Sequence, residues 1–186
     1  MEDCRVGLRP PRNVKFKRKS CYYYGYIMAK IIGYMITWAT YGTWLQGEKI
    51  RYVKDGKVLE EKRGLREVNK WRLKHKAVRL DDKSRTIVRH AILKEAERLG
   101  QVIYSLAVCS SHVHLVVGAI DETTGKAAGR YKRAATKALR ANGFVEKVWT
   151  RGYDKRYCFD EEALKNRINY VQRHNPYNGT REKNAD

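Results

Sequence analysis

From Met35 the chain alternates in the manner of a strand: Ile36, Trp38 and Thr40 fall to one side of an extended backbone and Met35, Thr37, Ala39 and Tyr41 to the other, and Gly42 closes the run. Residues 48–80 are dense in charge. There Asp55-Gly56, between IRYV and KVLEE, predicts a hairpin, and a helix is expected from Leu65 to Val78. The positions Val88, Ala91, Ile92, Ala96 and Leu99 recur at helical spacing behind a cap at Asp82 or Ser84, and Gly100 is the stop. QVIYSLAVC (101–109) predicts a buried strand, Ser110-Ser111 a tight connection, and HVHLVVG (112–118) its antiparallel partner. A helix from Thr123 or Thr124 to Asn142 ends at Gly143, and the aromatic run 147–159, broken at Gly152, predicts a strand and a loop. Asp160 caps a last helix that carries Glu161 and Glu162 in its first turn and stops at Pro176. The order strand, helix, strand, strand, helix, strand, helix predicts an α+β fold: a ferredoxin-like antiparallel sheet with helices on one face, plus a C-terminal helix that carries Tyr170.

Neither period is present before about Tyr22, so the chain divides into a basic arm (1–34), a domain (35–178) and a polar tail (179–186). Met28 and Met35 are internal start candidates, and a chain starting at Met35 is expected to fold on its own.

Composition changes the picture through charge. Lys and Arg number 40 against 20 Asp and Glu, a formal charge of +20, and 42% apolar residues still allow a proper core. Such a charge on a folded chain is self-repulsive unless a polyanion sits against it, which makes nucleic acid the first partner to consider and excludes most ordinary metabolic enzymes. Residues 35–178 alone carry 30 basic and 16 acidic residues, so the excess does not depend on the arm. Cys4, Cys21, Cys109 and Cys158 have no CxxC spacing, which argues against a zinc knuckle or disulfide framework and for a reducing cytoplasm. Residues 21–39 are apolar but hold five Tyr, two Gly and Lys30, so no membrane span is expected there.

Three patterns could carry chemistry. On a strand His112 and His114 share a face, with Cα atoms about 6.5 Å apart, close enough for two imidazoles to converge on one divalent ion or simply to hydrogen-bond on a half-exposed strand. On the last helix Ala163, Arg167, Tyr170 and His174 form a stripe separate from the apolar Leu164, Ile168 and Val171. A phenol beside a cation and a metal can become a nucleophile toward phosphorus, although a helical Tyr also packs as an amphipathic residue. Lys126, Arg130, Arg133, Lys137 and Arg140 form a basic stripe that no acid offsets, suited to phosphates or to solvent. Trp149, Tyr153 and Tyr157 interleave with Lys147, Arg151, Lys155 and Arg156, either as stacking planes for unpaired bases or as core.

The ordered set TYGTWL (40–45), SSHVHLVV (110–117), VWTRGY (148–153) and INYVQRHNP (168–176) resembles the single-tyrosine HUH transposases of small insertion sequences and the REP-associated tyrosine transposases, over roughly residues 35–178. The resemblance implies a dimeric, metal-dependent (Mg or Mn) endonuclease and strand transferase that acts on single-stranded DNA beside hairpins. Within it Tyr170 would attack the scissile phosphate to give a 5′-phosphotyrosine, and His112, His114 and His174 would ligate the metal; the charge pattern makes Lys126, Arg130, Arg133, Lys137, Arg140, Arg151 and Arg167 the candidates for DNA contact. It also implies a cytoplasmic, nucleoid-associated protein. Ser110-Ser111 stands where that family commonly has Pro-Asn, and His174 where it usually has Gln or Asn. The alternatives are a hairpin-binding protein derived from a transposase that does not cut, and a phosphoesterase that uses water in place of Tyr170. No GxxxxGK[ST] run is present, consistent with storage of bond energy in a covalent phosphoester.

Overall fold

The computed structural model of the chain describes residues 21–24, 27–45, 52–54, 57–59 and 62–175. In chain order its elements are β1 (Cys21–Tyr24), β2 (Ile27–Lys30), β3 (Gly33–Ala39), β4 (Tyr52–Lys54), β5 (Lys57–Leu59), α1 (Arg63–Trp71), α2 (Asp82–Arg98), β6 (Ile103–Val108), β7 (His112–Gly118), α3 (Thr124–Ala141), β8 (Asp154–Cys158) and α4 (Glu161–Arg173). Four strands form one antiparallel sheet in the order β6-β7-β3-β8. With α2 and α3 as connections this is the expected βαββαβ sandwich, its first and third strands central. The expected hairpin is present as β4 and β5, paired from Tyr52↔Leu59 to Lys54↔Lys57; its turn residues Asp55 and Gly56 lie outside the described residues, as do Pro176 and the tail.

Strand alternation sorts the side chains. Tyr34, Ile36 and Trp38 of β3, Val113, Leu115 and Val117 of β7, and Leu106 and Val108 of β6 form one face, packed against Val88 and Ile92 of α2 and Tyr131 and Leu139 of α3. The other face carries Met35, Ala107 and Val116, covered by Leu164, Ile168 and Val171 of α4. Thr37, His112 and His114 belong to this second face by the same alternation, so the histidines look toward α4 rather than toward the main core.

Three expectations are corrected, and the alternative left open for the aromatic run is decided. The sheet starts at Gly33, ahead of the boundary at Met35, and Ile31 and Tyr34 are buried. The Tyr34 hydroxyl accepts from Gln101 Nε2 at 2.8 Å, and Gln101 Oε1 accepts from Tyr131 at 2.7 Å, a buried network with every member partnered. The helix expected to reach Val78 ends at Trp71, because Val78 and Leu80 are drawn out in extended form: their amides donate to Tyr41 O and Ser110 O, both at 2.8 Å, and their side chains enter the core. The cap of α2 is Asp81, which accepts from the Ser84 amide at 2.8 Å. Trp149 packs edge-on against Trp38 in the core, and the Tyr153 and Tyr157 hydroxyls lie 3.3 and 3.4 Å from Thr124 Oγ1, so this aromatic set is structural rather than a stacking platform.

A chain starting at Met35 would therefore lose buried side chains and half of the Tyr34–Gln101 bond. Removing a large buried side chain costs about 3–5 kcal/mol, a large part of a typical total of about 5–15 kcal/mol. Urea denaturation should show this start markedly destabilised, or the protein insoluble, whereas a start at Met28 should keep a midpoint close to that of the full chain.

Candidate functional site

The site is built where β3 ends and β7 begins. The antiparallel register sets Thr37 opposite His114 and Ala39 opposite His112. The Ser110-Ser111 connection that delivers His112 is clamped by the TYGTWL segment: Ser111 O accepts from the Thr40 amide at 2.8 Å and from the hydroxyls of Thr40 and Thr43, both at 3.0 Å. Gly42 between these threonines has φ 72, and a Cβ on it would meet Ala77 Cα at 3.0 Å, so the turn requires glycine.

The other two rings arrive on α4 and its C-cap. Asp160 accepts from the Ala163 amide at 2.7 Å, and Glu161 and Glu162 complement the helix dipole. Val171 is fully buried against Met35 and Val116, and this anchor places the adjoining Tyr170 and His174 over the histidine strand. Ring centroids lie 4.6 Å apart for His112 and His114, 5.4 Å for His114 and Tyr170, 5.3 Å for His114 and His174, and 4.5 Å for Tyr170 and His174. Four residues separated by up to 62 positions in sequence thus meet on the open side of the sheet, and Tyr170 stays 41% exposed.

Hydrogen bonds orient all three imidazoles in the same sense. His114 Nδ1 is 2.7 Å from Thr37 Oγ1, His112 Nδ1 is 3.0 Å from Ser111 Oγ, and His174 Nδ1 is 2.8 Å from Tyr170 O. A carbonyl only accepts, so Nδ1 of a neutral His174 carries the hydrogen and Nε2 the lone pair. Burial, then the neighbouring His112 and His174, pushes the His114 pKa down to about 3, and burial followed by His174 lowers that of His112. Both rings are therefore neutral near pH 7, the form of imidazole that binds metal. As donors they fit a divalent ion, but among the described residues no three His, Cys, Asp or Glu side chains are grouped to hold one: His112, His114 and His174 are neighbours without forming a closed cage.

The depressed pKa has a consequence for stability. Unfolding raises the His114 pKa from about 3 toward 6.5, so the unfolded chain takes up the proton first as the pH falls. Its contribution is fully present above pH 6.5 and is lost on acidification toward about 3. From pH 7.5 to about 5 the metal-free protein should lose on the order of 2 kcal/mol through this group, His112 adding in the same direction. Urea unfolding at the two values checks it, and equal stabilities would mean that His114 is not held neutral.

The expected DNA-contacting cations do not form one row. Arg130 is paired with Glu122, Nε lying 3.0 Å from both carboxylate oxygens, so an acid does offset the stripe at this point. Exposed Lys126 sits in the first turn of α3. Arg133, Lys137 and Arg140 on the later turns line a groove of about 460 Å³ with Lys132 and Trp149. Trp149 bridges to Thr40, whose amide holds Ser111, so this groove lies at the histidine end of the sheet. Arg151 is exposed in the preceding loop, whose carbonyls of Thr150 and Gly152 accept from Lys132 Nζ at 3.0 and 2.6 Å. Arg167 is half-buried on α4 and acts electrostatically on Cys158, at the far end of the sheet from the histidines.

Several participants were not among the sequence candidates. From the sequence Thr37 reads only as a strand residue, although its alternation with Met35 places it on the histidine face. Lys132 and Glu122 had no signal. Cys109, whose thiol donates to His174 O at 3.4 Å, ties the end of α4 to the histidine hairpin.

No protein-family model matches the chain, nor does any curated protein. Among solved structures it is similar to a REP-associated tyrosine transposase bound to a REP hairpin, with 14% identity, a TM-score of 0.48, and coverage of 81% of this chain and 68% of that one. A candidate transposase from Deinococcus radiodurans R1 is similar with 14% identity, a TM-score of 0.41, and coverage of 83% of this chain and 97% of that one. No helix among the described residues is long and apolar enough to cross a membrane.

Proposed function

We propose that the chain is a transposase-type DNA endonuclease and strand transferase of the single-tyrosine HUH class, acting on single-stranded DNA near hairpins through a 5′-phosphotyrosine. The observation that carries this reading is the exposed Tyr170 phenol meeting, edge-on, the buried His114 of a neutral histidine pair on an open sheet face. Core packing explains Val171 but gives no reason to bring an exposed phenol and three imidazoles together.

In this mechanism the Tyr170 phenol oxygen bonds to phosphorus while the bond from phosphorus to the 3′ oxygen breaks. The phenol loses its proton, the departing oxygen gains one, and the products are a free 3′-OH and a phosphodiester linking Tyr170 to the 5′ end. Attack by another 3′-OH reverses the step and joins the strands without ATP. A divalent ion (Mg or Mn) on the Nε2 atoms of His112 and His114, with His174 as third donor, would supply positive charge to a non-bridging phosphate oxygen. Thr37 and Ser111 bond the two imidazoles at Nδ1 and so orient both rings with Nε2 left for the ion, as outer partners of metal-binding histidines do.

Arg133, Lys137 and Arg140, in the groove at the same end of the sheet, would track the phosphates of the bound strand. Replacing Arg133 and Lys137 by Ala should weaken binding of single-stranded DNA and flatten its salt dependence by about 0.7 in the logarithmic slope for each lost contact. An unchanged slope would leave these residues as a solvated face. A homodimer is part of this reading, with light scattering as its check.

The test of the function is incubation with labelled, hairpin-bearing single-stranded DNA and Mn²⁺, read on a denaturing protein gel. Covalent label on the protein supports the proposal. Cleavage without label would assign the site to water-based phosphoester hydrolysis, and binding without cleavage would make the chain a hairpin-binding protein.

A further inference from the structure

The connection between β3 and α2, residues 40–81, is several times longer than the usual 2–6 residues. Both of its ends are fixed at the site: Tyr41 N donates to Val148 O at 2.7 Å, and Leu80 N donates to Ser110 O at 2.8 Å, one residue before the Ser111 that delivers His112. Both ends of the segment are therefore tied to the histidine hairpin and its neighbouring strand end.

The later part of the connection is one-sided in charge. Residues 62–80 contain eight Lys or Arg against the single acid Glu67. Within it α1 buries no residue, has no acid in its first turn, and leaves Trp71 88% exposed and Val68 44% exposed. An indole left in water forgoes one of the largest burial gains available to a side chain. Lys70, Arg72 and Lys74 beside it are exposed as well. The return to the body is attached at Tyr41: the Lys74 amide donates to the Tyr41 hydroxyl at 3.1 Å and the His75 and Tyr41 rings meet at 6.0 Å.

We infer that α1 and the residues after it form a single-strand grip, in which Trp71 stacks on an unpaired base next to the scissile phosphate and Lys70, Arg72 and Lys74 hold the flanking phosphates. This rests on the DNA reading above and adds to it a base contact outside the histidine–tyrosine cluster. The charge selects the occupant: an apolar protein surface would leave the cations unneutralised and a second copy of this chain, itself at +20, would be repelled overall, whereas a DNA strand offers both base planes and phosphates.

The experiment compares the full chain with Trp71→Ala and Trp71→Phe, using an unstructured single-stranded oligonucleotide and a duplex of the same sequence, with binding followed by anisotropy. Base stacking of this kind is worth about 1–3 kcal/mol, so Trp71→Ala should weaken single-strand binding roughly 5- to 150-fold. Trp71→Phe should retain most of the affinity, duplex binding should change little, and the melting temperature should not move. Equal single-strand affinity for the full chain and Trp71→Ala overturns the grip. So does a loss of self-association in sedimentation without a loss of DNA affinity, which would give α1 to a second copy. Covalent capture of DNA by Tyr170 is scored separately: capture with unchanged Trp71→Ala affinity sinks this inference alone, and a Trp71-dependent affinity without capture sinks only the cutting mechanism.

Discussion

Tyr170→Phe should abolish covalent capture of DNA and lower strand cutting by at least about 10³-fold, while single-strand affinity stays within a few-fold of the parent. The substitution removes one oxygen from a side chain that is 41% exposed, so the fold and the ring contact with His114 should survive. Tyr34 and Tyr131 cannot replace it from their present positions, since both are buried and their hydroxyls are bonded to Gln101. Loss of a nucleophile that forms a covalent intermediate leaves only what positioning and electrostatics achieve with water. Full retention of cutting in Tyr170→Phe would transfer the chemistry to water and leave the tyrosine a packing residue.

The second large effect is expected at the histidine pair. His112→Ala should reduce cutting by about 10²–10³-fold, the usual cost of removing a preorganised source of charge stabilisation at phosphorus, and should leave DNA affinity largely intact. His112 is chosen because His114 is almost fully buried, so its removal would confound activity with stability. His174 gives a finer reading of the same centre. Imidazole suits Mn²⁺ and Co²⁺ better than Mg²⁺, which prefers oxygen donors. His174→Gln should therefore keep cutting but shift its preference toward Mg²⁺. Identical metal profiles would remove His174 from the ligand set and leave it as the residue that closes α4 onto Cys109.

The four rings were legible in the sequence because each depends on a short-range period. A spacing of two puts His112 and His114 on one face of a strand, and a spacing of four puts Tyr170 and His174 on one face of a helix. That the two faces meet follows from the strand order and from Val171, which pins α4 to the side of the sheet that α2 and α3 leave open. What sequence did not disclose depends on partners far along the chain. The role of Tyr34 is set by Gln101, 67 residues away, so a boundary at Met35 looked acceptable. Val78 reads as helical by local pattern, but its amide is needed by Tyr41 O, and tertiary pairing prevails over propensity. Glu122 lies outside the helix whose stripe it interrupts, so a face judged by helical spacing alone looked free of acids. The TYGTWL segment could be matched as a motif, yet its work, gripping the Ser111 carbonyl, emerges only when β3 and β7 lie in register.

Mass-spectrometric mapping of the residue that carries DNA tests the central claim most directly. The protein is incubated with hairpin-bearing single-stranded DNA and Mn²⁺, digested with nuclease and protease, and searched for a peptide enlarged by a nucleotide phosphate. The predicted result is one modified peptide, from the end of α4, with the phosphate on the oxygen of Tyr170. Cut DNA with no modified peptide, or a phosphate on any other residue, would contradict it.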